Sequence, residues 1–207
     1  MSTFGAMQDR IADELGRSDL TTAIQRSIQT AIRFYERNRF YFNEFQSSFS
    51  ASSSQEYYGS ADLAQIPKLV EIDSLTIDVN TSTYPLIERD WSYVDQVQTN
   101  AGYTGDPTDY VYYAQQIRLY PIPYTGRTLN ISGVQKLATL SATTDTNAWM
   151  VDGEALIRNK AKAILFGDKI RNEAEEIKCA QRARDEFSNL EKETFTKMST
   201  KLRPTAF

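Results

Sequence analysis

The clearest pattern of apolar and polar residues lies near the C-terminus, where two stretches follow the period of an α-helix. The first stretch contains Leu156, Ile157, Ala161, Ile164, Leu165 and Ile170. They form an apolar face too wide for one neighbour to cover, so this helix must be packed on more than one side. Asn172 is a suitable N-cap for a second helix, and Glu175 can complete a capping box with it. The pattern predicts a helical hairpin over residues 152–199.

The second helix of this hairpin carries one narrow apolar stripe. Its members are Ile177, Ala180, Ala183, Phe187, Leu190, Thr194 and Met198. Many of the residues between them are charged, so one side is expected to be buried and the other solvated. At about 1.5 Å per residue the helix is roughly 40 Å long, which is more than a compact domain of this size requires. We expect something else to pack along it.

The N-terminal residues predict two more helices. The first has an apolar face made by Phe4, Met7, Ile11 and Leu15. It spans residues 3–15, and Gly16 ends it as a C-cap. Asp19 is predicted to cap the second, which ends near Asn38.

Between these helical ends, alternation with a period of two predicts a block of strands. The predicted strands cover residues 41–49, 56–58, 69–79, 84–88, 109–114, 116–120 and 128–136, and a short helix capped by Asp90 covers residues 91–98. The element order predicts an α+β fold, in which a bundle of about four helices from the two chain ends carries an inserted, mainly antiparallel β-rich block. The predicted domains are a helical bundle over residues 1–39 and 148–200, a β-rich insertion over residues 40–147, and a C-terminal arm over residues 201–207.

Composition narrows the possible functions. The 207-residue chain is 41% hydrophobic, enough for a real core, and its net charge of −4 disfavours a dedicated nucleic-acid binder. It contains no histidine, which removes the commonest general base and the usual zinc ligand, and its only cysteine is Cys179. None of the nine glycines belongs to a phosphate-binding or dinucleotide-binding motif. We predict no enzymatic activity, no cofactor and no metal.

The sequence also predicts no contact with a membrane. No apolar run approaches the length of about 20 residues that a membrane-spanning helix needs. The N-terminus lacks the apolar core of a signal peptide.

Two features keep other functions open. Glu71 with Asp73, and Glu88 with Asp90, are carboxylate pairs of the type that hydrolyses glycosides, although alternating strands more often present such pairs to water. The tyrosines that could stack carbohydrates include Tyr57, Tyr58, Tyr110, Tyr112, Tyr113, Tyr120 and Tyr124. A small β core or a protein interface requires the same residue type. A β-rich carbohydrate-binding or receptor-binding module is therefore the alternative function.

Several stretches, taken in order, resemble the head-to-tail adaptor (connector) proteins of tailed bacteriophages. They are FYERNRFYFNE at residues 34–44, QEYY at residues 55–58, LVEIDSL at residues 69–75, RLYPIP at residues 118–123 and NAWM at residues 147–150. The chain then returns to the long helices at Leu156 and Ile157, and this extends the resemblance over nearly the whole chain. The tail tubular protein of short-tailed phages is similar and has the same order of elements.

The resemblance implies a non-enzymatic component of the virion neck, assembled in the host cytoplasm. Such a protein forms a ring, usually of twelve copies, between the portal protein of the capsid and the tail or nozzle proteins. DNA is expected to pass through the lumen without specific binding, and the acidic balance of the chain suits such a channel. In this setting the alternative function becomes a carbohydrate-binding or receptor-binding module of a virion tail.

Two groups of residues are candidates for interfaces. Arg26, Arg33 and Arg37 fall on one side of the second helix, where they can form a solvated face paired with acidic side chains of the C-terminal hairpin, or contact an acidic partner or DNA.

The second group belongs to the C-terminal arm and comprises Leu202, Arg203, Pro204 and Phe207. Pro204 disfavours a continuing helix, and Leu202 and Phe207 offer two apolar anchors to a neighbouring subunit or the portal. A frayed terminus is the other interpretation.

Overall fold

The chain divides into two compact units. A computed structural model describes residues 2–61, 63, 65–97 and 102–199. The helical unit comprises Met1–Asn43 and Leu137–Phe207, and the β unit comprises Glu44–Lys136. The chain passes from the helical unit to the β unit between residues 43 and 44 and returns between residues 136 and 137. The sequence placed these two boundaries at 39/40 and 147/148.

Both units consist of helices or strands joined by connecting segments. The helices are α1 (Phe4–Leu15), α2 (Thr21–Tyr35), α3 (Trp91–Val97), α4 (Ala148–Val151), α5 (Glu154–Leu165) and α6 (Glu173–Ser199), and a π-helical turn, Phe166–Ile170, follows α5. The strands are β1 (Glu44–Ala51), β2 (Tyr57–Gly59), β3 (Leu69–Val79), β4 (Ser82–Pro85), β5 (Ile87–Glu88), β6 (Thr104–Gly105), β7 (Asp109–Tyr113), β8 (Gln116–Tyr120), β9 (Ile122–Pro123) and β10 (Arg127–Gln135). The predicted α+β class is confirmed.

The first helix forms as its sequence predicts. The side chain of Thr3 accepts a hydrogen bond from the Ala6 amide at the N-terminus of α1, and Gly16 ends the helix in the left-handed conformation. Phe4, Met7 and Ile11 are buried in the core of the helical unit. The predicted C-cap is confirmed, because only a residue without a Cβ adopts this backbone conformation at low cost.

Asp19 does not cap α2, and this prediction was wrong. Leu20 occupies the cap position and makes no side-chain capping bond. The Asp19 carboxylate instead accepts a hydrogen bond of 2.7 Å from the guanidinium of Arg17, and this bond lowers the pKa of Asp19 to about 2. A charge-assisted bond to arginine therefore replaces the bond to a backbone N–H.

The segment between α2 and β1 is a packed turn, not the start of a strand as predicted. Asn43 is buried; its side-chain oxygen accepts from the Phe40 amide at 2.8 Å and its nitrogen donates to the Asn38 carbonyl at 2.9 Å. Phe40 is fully buried and packs edge-on against Trp149. The strand begins only at Glu44 because the aromatic residues before it belong to the core of the helical unit.

The C-terminal hairpin consists of α5, the π-helical turn and α6. Arg171 adopts the left-handed conformation between the helices. The Asn172 side chain accepts a hydrogen bond from the Glu175 amide at 3.3 Å, so the predicted N-cap is confirmed. The predicted capping box does not form, because the Asn172 amide donates to the Phe166 carbonyl and the Glu175 carboxylate pairs with Lys178.

The buried side of α6 differs in part from the predicted stripe. Ala183, Leu190 and Thr194 are buried as expected, and Cys179 joins them. Ile177 and Met198 were predicted to belong to this stripe but are exposed. Ile177 lies off the buried side because that side runs through Cys179, Ala183, Leu190 and Thr194, at intervals of four, seven and four residues. Met198 continues this spacing, four residues beyond Thr194, but is 40% exposed.

The β unit packs two four-stranded sheets around one core. Sheet A has the order β1-β10-β3-β4 and is antiparallel throughout, and sheet B has the order β2-β8-β7-β5 with a parallel pair at β5. Their shared core contains Phe49, Leu75, Ile77, Leu129 and Ile131 from sheet A, and Tyr58, Tyr110, Ile117 and Leu119 from sheet B. The predicted strands at residues 69–79 and 116–120 are confirmed in full.

Gly133 allows β10 to cross a register shift against β3. The shift lies between Ser132 and Gly133, and a Cβ on Gly133 would lie 2.2 Å from the carbonyl oxygen of Glu71. Only glycine permits so close an approach of two backbones.

We predict that Gly133→Ala destabilises the protein by about 1–3 kcal/mol, because the added methyl group forces the two strands apart. Gly126→Ala is the matched control, since its Cβ would meet its nearest neighbour, the Ala51 carbonyl oxygen, at an ordinary 3.7 Å. Urea unfolding followed by tyrosine and tryptophan fluorescence measures both changes. Equal stability of the two variants would contradict this account.

Candidate assembly surfaces

The arginines predicted as an interface lie on the exposed side of α2. Arg26 and Arg33 belong to the helix, and Arg37 lies in the turn beyond its end. All three are exposed, and none forms an ion pair with another residue in the described part of the chain. The structure therefore does not pair them with acidic side chains of the C-terminal hairpin, which was the first interpretation of the sequence.

Two of these arginines line grooves in the helical unit. Arg26 borders a groove of about 430 Å³ between α2 and the π-helical turn, together with Leu20, Ile164 and Asp168. Arg33 borders a smaller groove of about 130 Å³ beside Leu137 and Leu140. A guanidinium at the rim of an apolar groove can hold a carboxylate through two parallel hydrogen bonds while the groove accepts apolar side chains.

Phe34 adds an exposed apolar residue to the same helix. Its side chain is 62% exposed, and the ammonium group of Lys160 lies 4.2 Å from the centre of its ring. Phe34 also lines a groove of about 330 Å³ with Arg184 and Phe187 of α6. Together with the arginines it gives this side the composition of an interface that binds protein.

The outer side of α6 carries an exposed apolar pair. Ile177 is 61% exposed and Phe195 is 72% exposed. Eighteen residues separate them, which is five turns of helix, so both lie on one line along the helix. Periodicity alone assigned Ile177 to the buried stripe, and only the packing of α6 against α5 shows that this position faces outward.

In the β unit, each of the three arginines is held between a carboxylate and an aromatic ring. Arg89 contacts Asp109 and Tyr93, and Arg127 contacts Asp106 and Tyr124. Arg118 pairs with Glu56 and lies between the rings of Trp91 and Tyr57. Such groups give a rigid surface whose side chains lose little freedom on binding. Tyr93 and Tyr124 are close in sequence to their arginines, but Asp109 and Asp106 lie 20 and 21 residues away, so the tertiary structure assembles these groups. The third group combines the cross-strand neighbours Arg118 and Tyr57 with Trp91 of α3.

The tyrosines proposed as a carbohydrate platform do not form one surface. Tyr58 and Tyr110 are buried in the core, and burial together with the nearby Glu88 carboxylate raises the pKa of Tyr110 to about 12. Tyr113 and Tyr124 are exposed, and the ring of Tyr113 lies 4.9 Å from that of Trp91. Tyr58 and Tyr110 therefore belong to the core, as the alternative interpretation of the sequence allowed.

The described residues contain no group of three Asp, Glu or Cys side chains able to hold a metal ion. Glu71, Asp73, Glu88 and Asp90 are all exposed. Leu202, Arg203, Pro204 and Phe207 lie outside the described residues. No helix in the described part of the chain has both the length and the apolar content to cross a bilayer.

A protein-family model described as SU10 adaptor protein matches residues 2–204. The chain belongs to the SU10 adaptor protein family. It is a structural head-to-tail adaptor of a bacteriophage, and the family implies contacts with portal and tail proteins and a place in the virion neck. A comparison with curated proteins found no match.

The adaptor also contains an ionic cluster that joins α1 to α5, in which Lys162 is buried and Glu14 is partly exposed. The Glu14 carboxylate accepts hydrogen bonds from Arg158 and from Lys162, whose side chain is only 8% exposed. Burial raises the pKa of Glu14, but the hydrogen bond and charge of Lys162, assisted by Arg158, outweigh that effect and bring the pKa below its ordinary value of 4.5. Burial raises the pKa of the nearby Cys179 thiol.

We predict that Glu14→Gln destabilises the adaptor by about 1–2 kcal/mol at pH 7, because it leaves the Lys162 ammonium buried without its counter-charge. Because the folded-state pKa is lowered, this contribution is present above pH 4.5 and is lost as the pH falls through the folded-state pKa. Urea unfolding at several pH values should show the wild type and variant converging in acid. Glu193→Gln, which breaks an exposed pair with Lys197, is the control, and a pH-independent difference for Glu14→Gln would contradict the assignment.

Proposed function

We propose that twelve copies of this adaptor form a ring that joins the capsid portal protein to the tail or nozzle proteins. The family match over residues 2–204 carries this proposal, because it covers both units of the chain. A ring needs two different surfaces that fit each other from copy to copy. The exposed sides of α2 and α6 support such contacts. The ring assembles in the host cytoplasm and occupies the virion neck.

The helical domain, predicted over residues 1–39 and 148–200, forms the inner or portal-facing part of this ring. Arg26, Arg33 and Phe34 support this assignment, since they combine exposed guanidinium groups with an exposed aromatic ring beside apolar grooves. Acidic side chains of the portal or of a neighbouring copy would supply the matching charge. The β-rich domain, predicted over residues 40–147, carries the remaining contacts.

DNA passes through the lumen of the ring without specific binding. The net charge of −4 supports this step, because a basic lumen would hold phosphate groups in a salt-dependent manner. The residues that line the lumen are expected to be acidic or neutral, and Arg26, Arg33 and Arg37 face protein.

A second candidate function is a carbohydrate-binding or receptor-binding module of the tail. Trp91 and Tyr113, which are 37% and 60% exposed, favour it because their neighbouring rings can stack on a sugar. Mixing the purified adaptor with a glycan array separates the two functions, since the ring requires no glycan.

The ring is tested by mixing the purified adaptor with purified portal protein and imaging the complex by electron cryo-microscopy. The expected result is a closed adaptor ring of twelve copies on one end of the portal. Absence of any attachment, with both proteins folded, would overturn the proposal.

We expect the triple change of Arg26, Arg33 and Arg37 to alanine to weaken portal attachment about tenfold or more, because charge-assisted hydrogen bonds are lost. The control removes Arg10, Lys68 and Arg171, which changes the net charge equally at exposed positions outside α2 and α6. Sedimentation with portal measures attachment, and filter binding measures affinity for DNA. Weak DNA binding that disappears in the first variant would instead place these arginines in the channel.

The C-terminal arm, residues 201–207, is proposed to dock on a neighbouring subunit or the portal through Leu202 and Phe207. Deletion of residues 202–207 is expected to reduce attachment to portal and leave the melting temperature of the free adaptor unchanged, because the contact exists only after assembly. Deletion of residues 206–207 alone tests the Phe207 anchor. Unchanged attachment of the longer deletion would show that the arm is only a terminus.

A further inference from the structure

Sheet A ends in two open edges. β1 pairs only with β10, and β4 pairs only with β3, so within the described residues neither strand has a partner on its outer side. An open edge presents unpaired N–H and C=O groups to any strand that approaches it.

The hydrogen-bond pattern determines which residues of β1 point outward. The Leu86 amide donates to the Leu75 carbonyl at 2.9 Å, so Leu75 directs its backbone groups toward β4 and away from β10. Leu75 lies opposite Ile131, which must therefore direct its own groups toward β1. Ile131 in turn lies opposite Ser47, which bonds to β10.

Because backbone direction alternates along a strand, the residues between those that bond to β10 face the open edge. In β1 these are Gln46, Ser48 and Ser50, and all three are exposed. In β4, Tyr84 lies opposite Ile77 and bonds to β3, so Thr83 is the residue that directs both its N–H and its C=O outward.

β1 lacks the features that normally protect an edge strand from pairing. β1 contains no proline, and its one charged residue is Glu44 at its first position. Solvent-facing edges usually carry lysine, proline or a bulge, or remain very short. β1 has eight residues and a regular register with β10. An unprotected edge of this length indicates that another strand pairs with it.

We propose that the β4 strand of a neighbouring copy pairs with β1, so that sheet A continues from one copy to the next. This inference rests on the proposed ring and names one contact within it. The four antiparallel strands of sheet A give its two edges opposite directions, so β4 of one copy meets β1 of the next in antiparallel orientation when the copies are related by rotation.

The two strands are chemically compatible. With Thr83 opposite Ser48, these residues exchange both backbone hydrogen bonds, and the Pro85 carbonyl accepts from the Gln46 amide. All four residues of β4 are exposed, and neither strand places a charge at this contact. Sheet A already contains a cross-strand serine pair, Ser74 with Ser132 at 2.8 Å between the hydroxyl oxygens, which is the type of contact that Thr83 would make with Ser48.

A disulfide cross-link tests this contact. In an antiparallel hydrogen-bonded pair the two Cα atoms are about 5.5 Å apart, which suits a disulfide bond. The double variant Ser48→Cys with Thr83→Cys is assembled on portal protein and oxidised with copper phenanthroline. We expect a reducible ladder of dimers, trimers and longer species on a denaturing gel.

The controls distinguish this contact from other arrangements. Each single variant should remain monomeric, an equal mixture of the two should stop at dimers, and the wild type with its buried Cys179 should give no ladder. Gln46→Cys and Ser50→Cys, each combined with Thr83→Cys, test alternative registers between β1 and the neighbouring β4. Dimers from Ser48→Cys alone would show pairing of two β1 strands and overturn the proposal.

The inference and the proposed ring fail in different ways. A normal ring on the portal with no ladder from any of the three cysteine positions would reject the strand contact and leave the ring intact. Failure of the wild-type adaptor to form a ring on the portal would reject the proposed function itself.

Discussion

The burial of α5 on several sides is the constraint that organises the helical unit. This helix packs against α1, α2, α4 and α6, and Leu156, Ile157 and Ala161 are almost completely buried. Its central position buries two polar residues, Asn159 and Lys162, and Glu14 of α1 neutralises the charge of Lys162. Because α5 takes up the inner sides of α2 and α6, the outer sides of those two helices remain available for assembly.

In the β unit, each of the two sheets buries its apolar face against the other sheet. The two sheets share one core, and the unit also carries three arginines held between carboxylates and aromatic rings, with Arg118 in sheet B, Arg127 in sheet A and Arg89 in the segment after β5. Those contacts neutralise the guanidinium groups and hold the aromatic rings in place. The β unit thus combines a rigid surface with a sheet whose strand edges stay open, and both features suit a protein that works by contacting copies and neighbours.

The sequence predicted the positions of several candidate interface residues, but it did not predict their environments. The spacing of Arg26 and Arg33 places them on one side of a helix, and the structure shows that side exposed. The sequence assigned Ile177 and Met198 to the buried stripe of α6 because an apolar residue at the helical period normally faces the core. At Ile177 the stripe is instead displaced toward Cys179, since the direction of the helix relative to α5 depends on packing against residues distant in the chain. Asp19 illustrates the same limit, because the choice between a backbone amide and the Arg17 guanidinium depends on local geometry.

The sequence by itself determined the α+β class, the order of the elements, the Gly16 and Asn172 caps and the bounds of strands such as β3. These features depend on periodicity and on the conformational preferences of single residues, which are local properties of the chain. The tertiary structure decided where residues 40–43 belong, which side of α6 is buried, how Arg118 is held, and that β1 lies at an edge of sheet A. Each of these depends on contacts between residues far apart in sequence, and the free energy of such a contact is set by the partner that the fold supplies.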